Sequence, residues 1–349
     1  MILVYLVNID SAMPNIAFAK LAHWHLSQGH KVELRDRVDR DIWEPTPDIA
    51  YASSIFTKSE DRRARFRHNF PTGLMSGTGI DPVTGGVSVE EIIGVGRWQY
   101  EHYDWSIYPD FKDSIGFSQR GCRLNCGFCG VPTKEGKPIS LNSIEAIWRG
   151  DPYPRNIHLL DNDFFGQPDW REKIAAIRDG DFKVCMSQGI NIRLIDDEGA
   201  KAFSTIKYRD KYFKKPRLYT AWDNVGNEKV FFKGVDTLER NGIPPTHVMA
   251  YMLIGWDKKE TWERIWYRFT RMVERGISPY PMVYAEPGTK PRKDLKCFQR
   301  YVINQGGMYR WIPWDEYDRG TKSVESVEAW KPYRDRIAAS LPKLQKEAA

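Results

Sequence analysis

Apolar residues recur in two rhythms along the chain, and the rhythm changes near residue 113. Residues 2–7 are an apolar run of strand length. Between residues 12 and 28, Ile16, Phe18, Ala19, Leu21, Ala22 and Leu26 fall at helical spacing, and Gly29 stands where such a helix would stop. Residues 31–35 alternate as a strand does, 47–53 read as a third strand, and 73–79 as a fourth with a glycine-rich end at 76–79. The predicted order β-α-β-(α)-β-β implies a small Rossmann-like parallel sheet over residues 1–85. The segment 54–72 is short and basic for such a domain. Residues 86–112 read as a linker, with a short helix capped by Ser88 and Glu91 three positions later.

From 113 onward the pattern becomes strand, loop, helix, repeated. Strands are expected at 114–118, 156–161, 182–187, 217–222, 246–253 and 279–284. Helices are expected between them, at 142–149, 168–178, 195–206, 226–241 and 257–275. Six such units imply a parallel β/α assembly over 113–290, with ligands at the carboxyl ends of its strands. Residues 291–349 read as a C-terminal helical extension whose tail, 331–349, is charged and helix-prone.

Composition narrows the class. The chain has 349 residues, 41% hydrophobic and 28% charged, which suits one large or two ordinary globular domains. No apolar run approaches the ~20 residues of a membrane span, so no membrane association is expected. The first residues lack the form of a signal peptide, and five cysteines clustered as below suit a reducing, cytoplasmic setting. Net charge is +6. Basic runs lie at 61–68, 207–217 and 290–300; such runs are usually solvated faces. Where aromatics interleave, as in Lys211-Tyr212-Phe213-Lys214-Lys215, they also suit a phosphate backbone. The 13 tryptophans read as core and contact material.

The chemistry lies in one string. Cys122, Cys126 and Cys129 form C-x3-C-x2-C, with no other cysteine within fifty residues. Three thiolates on a short loop can hold three irons of a [4Fe–4S] cluster and leave the fourth open. Zinc is the competitor, but structural zinc sites usually bring two ligand pairs, and the nearest histidines, His102 and His158, are about twenty and thirty residues away. A disulfide would leave an odd thiol. Cys185 and Cys297 read as small buried hydrophobes. No histidine has metal-like spacing, and no nucleophile-elbow string supports a hydrolase.

The segment from Asp113 to Gly136, with Arg120-Gly121-Cys122 ahead of Phe128-Cys129-Gly130-Val131-Pro132, resembles the radical S-adenosylmethionine (radical SAM) superfamily, whose hallmark is C-x3-C-x-aromatic-C. The aromatic is Phe128. The resemblance implies a partial (β/α)6 TIM-like barrel, a [4Fe–4S] cluster held by Cys122, Cys126 and Cys129, and reductive cleavage of S-adenosylmethionine to a 5′-deoxyadenosyl radical. It implies an electron donor of flavodoxin or ferredoxin type. It also suggests cofactor-binding residues at the strand ends. Asp161-Asn162-Asp163-Phe164 looks like an acidic element beside the methionine amino group, with Asp161 and Asp163 its candidates. Gln188, Asn191 and Arg193 suit carboxylate or ribose recognition; Arg193 could equally pair with Asp196 or Asp197. Asp223 is a candidate for ribose or substrate. Gly255, in Ile254-Gly255-Trp256-Asp257, would let the backbone approach adenine, although Asp257 replaces the usual proline. Glu286-Pro287-Gly288-Thr289 looks like a structured turn flanking the mouth.

Residues 1–85 resemble the cobalamin-binding domain that precedes many radical SAM barrels. They lack the D-x-H-x-x-G string of histidine-ligated cobalamin, so a reduced domain without cobalamin is expected, packed as a cap. The substrate is open. Nucleic-acid or nucleobase modification and methyl or methylthio transfer form one branch, and a small molecule or peptide forms the other. The alternative class is a non-catalytic nucleic-acid-binding protein stabilised by zinc or a cluster.

Overall fold

The computed structural model describes residues 1–345 apart from Ile42, Pro82 and Pro287, so the expected turn at Pro287 and the last residues of the tail lie outside the described residues. Contacts divide the chain into two units: 1–116 with 120–142 and 149–154, and 117–119 with 143–148 and 155–349.

The first unit is built on a parallel sheet. Its elements are β1 (Leu3–Asn8), α1 (Ile16–Ser27), β2 (Lys31–Arg35), β3 (Ile49–Ser53), α2 (Glu60–Asn69), β4 (Leu74–Ser76) and α3 (Val89–Ile93). The sheet order is β2-β1-β3-β4. β1 is central and apolar at successive positions, so both its faces are covered. Tyr5, Val7 and Ile9 pack with Ala50, Ala52, Phe66 and Phe70 on the α2 side. Val4 and Leu6 pack with Phe18, Leu21, Ala22, Tyr51 and Val89 on the other. α1 begins four residues later than its periodicity suggests. Asn15 is the cap, accepting the N–H groups of Ala17 and Phe18, and Pro14 precedes it. The basic segment does form a helix, α2, held by Phe66 and by the buried Arg63, which donates to Glu60 and to the carbonyls of Phe56 and Thr57. The Ser88–Glu91 capping box is formed as expected.

The chain continues through β5 (Ser114–Gly116), β6 (Gln119–Arg120), α4 (Val131–Glu135), β7 (Ile139–Ser140) and α5 (Ile144–Ile147). The second unit then alternates strands and helices: β8 (Asn156–Leu159), α6 (Trp170–Asp179), β9 (Lys183–Cys185), α7 (Asp197–Ser204), β10 (Lys207–Tyr208), β11 (Leu218–Ala221), α8 (Glu228–Arg240), β12 (Val248–Ile254), α9 (Trp262–Glu274) and β13 (Ser278–Val283). All these strands pair in parallel.

The expected parallel β/α pattern is present in this unit as two parallel ladders, β10-β9-β8 and β11-β12-β13. The two-residue β10 takes the open edge of β9. The link to β11 is made further along the chain, where Ile190 donates its N–H to the Tyr219 carbonyl (2.8 Å) and accepts the Thr220 hydroxyl (3.0 Å). β12 shows why the helices lie outside: Val248, Ala250, Met252 and Ile254 are buried, and Met249, Tyr251 and Leu253 between them are half-buried. The C-terminal segment supplies α10 (Lys293–Ile303), α11 (Val324–Trp330) and α12 (Arg334–Gln345). It belongs to the same core as the strands. Trp266 of α9 meets Phe298, Trp314 and Trp330 edge-on or tilted, with centroids 4.9–6.5 Å apart.

Candidate cofactor-binding site

The cysteine loop belongs to the first unit. Its ends are closed by the Cys122 N–H donating to the Gly136 carbonyl (3.1 Å) and the Gly121 N–H donating to the Glu135 carboxylate (3.0 Å). Gly121 has φ +85°, and a Cβ there would lie 2.2 Å from the Lys137 carbonyl oxygen, so only glycine fits before the first cysteine. Within the loop, Cys129 turns back to donate to the Cys126 carbonyl (2.9 Å), and the Leu124 N–H points at the Cys122 sulfur (3.4 Å). The three cysteines are half-buried, and Phe128 is 37% exposed. Arg120, just ahead, pairs with Glu135 (3.4 Å) and lies over the Trp98 ring (4.1 Å).

Among the described residues no three His, Cys, Asp or Glu side chains are grouped so as to hold a metal ion. A cubane cluster makes a different demand, one thiolate for each of three irons. The donor set fits it: three thiols on one loop, with a backbone N–H already directed at a sulfur.

In the second unit the end of β8 is built around Asp161. Its carboxylate accepts the N–H of Ser118 (2.8 Å), the N–H of Gln119 (3.1 Å) and the Ser118 hydroxyl. Asp161 is 2% exposed. Burial outweighs these donors and the nearby Lys173, and pushes its carboxyl up to about 6. The carboxylate expected to contact the cofactor thus serves Ser118 and Gln119 in this structure. Asp163 is fully buried, and its N–H donates to the Gln119 side-chain carbonyl (3.1 Å). Gln167 completes the knot. Its amide donates to Ser118 Oγ (3.3 Å) and to the Phe164 carbonyl (3.0 Å), while its Oε1 is buried without a partner. Sequence reasoning missed Ser118, Gln119 and Gln167, because their partners lie more than forty residues away in the chain.

Gln188 is exposed. Asn191 is half-buried, and its Nδ2 is buried without a partner, an orphaned donor of the kind a carboxylate or ribose would satisfy. Asp196 caps α7 by accepting the Gly199 N–H (2.8 Å), and Asp197 takes Arg240 and Asn241. Arg193 lies near enough to Asp223 to favour its charged form. Asp223 accepts the Leu253 N–H (3.0 Å). Burial raises its carboxyl, against the lowering influence of that N–H, Arg268 and Arg193. Arg268, fully buried on α9, ties two strand ends by donating to the carbonyls of Trp222 and Leu253 (both 2.9 Å) and pairing with Glu260. Gly255 has φ +84° and donates its N–H to Glu260 (2.8 Å). Asp257, in place of proline, accepts the Lys259 N–H (2.9 Å) and shapes the turn.

The front sheet has its own switch point, between β1 and β3, where strand order reverses. Asp10 occupies it. Its carboxylate accepts the N–H groups of Ile55 (2.7 Å) and Phe56 (3.1 Å) and the Ser54 hydroxyl (3.0 Å). Burial raises Asp10, but these donors and Ser59 outweigh it and hold the carboxyl below its ordinary value. The glycine-rich turn packs on the backbone that follows β3: a Cβ at Gly77 would lie 2.2 Å from the Ser54 carbonyl oxygen. Cys185 and Cys297 are fully buried. No helix is long and apolar enough to cross a membrane among the described residues.

No protein-family model matches the chain, and no curated protein does. Among solved structures it is similar to a cysteine-to-serine variant of spore photoproduct lyase, at 12% identity and a TM-score of 0.36, covering 98% of this chain and 95% of that one. It is similar also to a doubly substituted variant of the same lyase with bound AdoMet and dinucleoside spore photoproduct, at 12% identity, a TM-score of 0.35 and the same coverage. Both TM-scores are too low to bear on fold or chemistry.

Proposed function

We propose that this protein is a radical SAM enzyme. The observation that carries the reading is the loop Cys122-x3-Cys126-x-Phe128-Cys129, closed at its base by Gly121 and Gly136. In this reading each thiolate holds one iron of a [4Fe–4S] cluster, and the Leu124 N–H moderates charge on the Cys122 sulfur. When bound, cluster and S-adenosylmethionine supply reductive cleavage to a 5′-deoxyadenosyl radical, with an electron from a flavodoxin- or ferredoxin-type donor. The protein's part is binding and orientation. Asn191 offers its unpartnered amide, Arg193 a guanidinium, and Asp223 and the Gly255 backbone the remaining polar contacts of the cofactor. Exposed Gln188 completes the set, and the buried Asp163 supports the strand end from behind. Asp161 acts one step back: it fixes Ser118 and Gln119, and Gln119 precedes Cys122 by three residues. The front domain carries no cobalamin in this reading, since it lacks the D-x-H-x-x-G string of histidine-ligated cobalamin.

Anaerobic reconstitution tests the proposal. Wild type should take up about four irons per chain by the cluster's stoichiometry and, once reduced, release 5′-deoxyadenosine from S-adenosylmethionine. Replacing Cys122, Cys126 and Cys129 by alanine together should abolish both without unfolding either unit. Zinc as the bound metal, with no cleavage, would instead make the chain a binding protein.

A further inference from the structure

The turn between β10 and β11 is built to hold cations outward. Asp210 organises it. Its N–H donates to the Lys215 carbonyl (2.9 Å), its carbonyl accepts the Phe213 N–H (2.9 Å), and its carboxylate accepts the N–H groups of Tyr212 (3.2 Å) and Lys214 (2.9 Å). Phe213 adopts φ +57°, a conformation a bulky residue keeps only when its surroundings fix it. The anchor is evident: Phe213 is 6% exposed, packs with Cys185 and Tyr219, and meets the buried His158 ring edge-on at 4.7 Å. With Phe213 plugged inward, Lys211, Tyr212, Lys214 and Lys215 are left exposed. Tyr212 is 66% exposed, an unusual place for a large ring, and the Lys211 ammonium lies over it at 4.9 Å.

We infer that the turn 210–215 is a docking surface for single-stranded nucleic acid, with Lys211, Lys214 and Lys215 on phosphates and Tyr212 stacked on a base. Three cations on a rigid turn suit a phosphate backbone, and the one acid among them already has its oxygen on backbone donors. The exposed ring favours a single strand over a duplex, because only an unpaired base offers a face to stack on. The site goes beyond the radical SAM reading and does not rest on it.

Fluorescence anisotropy of the full chain with a labelled oligo-dT or oligo-rU 15-mer tests this without cluster or reductant, so failure of the radical chemistry leaves it untouched. Wild type should bind with an affinity that falls steeply with salt. In the Lys211→Glu/Lys214→Glu/Lys215→Glu variant, the slope of log K against log salt should flatten by about 2, the count for three phosphates on a single strand. Tyr212→Ala should weaken binding about fivefold or more with the slope unchanged, as lost stacking does. No binding, or binding indifferent to the lysine substitutions, would overturn the inference. So would competition by poly-glutamate of equal charge as strong as by the oligonucleotide, which would make the turn a surface for an acidic protein. Circular dichroism checks that these surface variants remain folded.

Discussion

The two units solve burial differently. The second has a large apolar core that runs from Ile144 through the strands to Ile337, dense in aromatic rings around Trp266 and Trp314, with a small satellite cluster at Cys185, Phe213 and Tyr219. The first divides its apolar residues between two small clusters on the faces of one thin sheet. It closes its remaining gaps with charge: Lys20 is 6% exposed and sits between Glu90 (2.8 Å) and Glu101 (2.6 Å), while Arg35 pairs with Glu44 (2.5 Å). A small sheet cannot bury enough apolar area on either face, so stability there depends on pairs that fail badly when one partner is lost. In the second unit Arg268 pairs with Glu260 at the strand ends, and the buried Lys173 pairs with Asp169 (3.3 Å).

The sharpest way to break this comparison is to damage each unit in its own manner. Trp266→Ala should cost about 3–5 kcal/mol, as large core truncations do, read by urea unfolding. Nine of the thirteen tryptophans lie in the second unit, all except Trp24, Trp43, Trp98 and Trp105, so fluorescence reports mainly on that unit. Lys20→Ala should cost about 3 kcal/mol by leaving Glu90 buried and unpaired. Hydrogen exchange should quicken in β1, α1 and α3 and stay unchanged in α9. Equal quickening in both units would contradict the division of labour.

Acid sharpens it further. His25 is buried beside His30 (2.9 Å between Nδ1 atoms), and burial, with the second imidazole, lowers it to about 4. The folded first unit thus binds fewer protons there than the unfolded chain. Its contribution is full above pH 6.5 and falls by about 2 kcal/mol as pH drops toward 4. Asp161 in the second unit runs the other way. Its folded value, about 6, lies above the unfolded one, so its contribution is full below about 4 and is lost as pH rises through 6. Wild type measured against His25→Gln and against Asp161→Asn between pH 4 and 7 should show opposite slopes. The same sign in both would refute the assignment. The smallest expected effect is Ser88→Ala, about 1 kcal/mol from the lost capping box, visible as faster exchange in α3 alone.

Much of the fold could be read from the pattern, for identifiable reasons. β1 and β12 are long and apolar, and Ser88 with Glu91 has a local signature. β10 could not be read, since two residues carry no period and its pairing depends on the edge that β9 leaves open. At the candidate site the cysteines announce themselves by spacing, whereas Gln167 and Ser118 meet only through folding, 49 residues apart. Asp161 stood out by position at a strand end, but burial decides that it faces Ser118 and Gln119.

Asp10 gives the front sheet a property of its own. Donors at a strand-end switch point that are already taken by a carboxylate of the same chain behave like a receptor carrying its own tethered antagonist. A free anion competes there against a group whose effective concentration is at least about millimolar, the range of even a loose tether. Asp10 is held by three donors on a short loop, so the threshold is higher still. One substitution, Asp10→Ala, would remove that internal occupant and leave the N–H groups of Ile55 and Phe56 without their present acceptor.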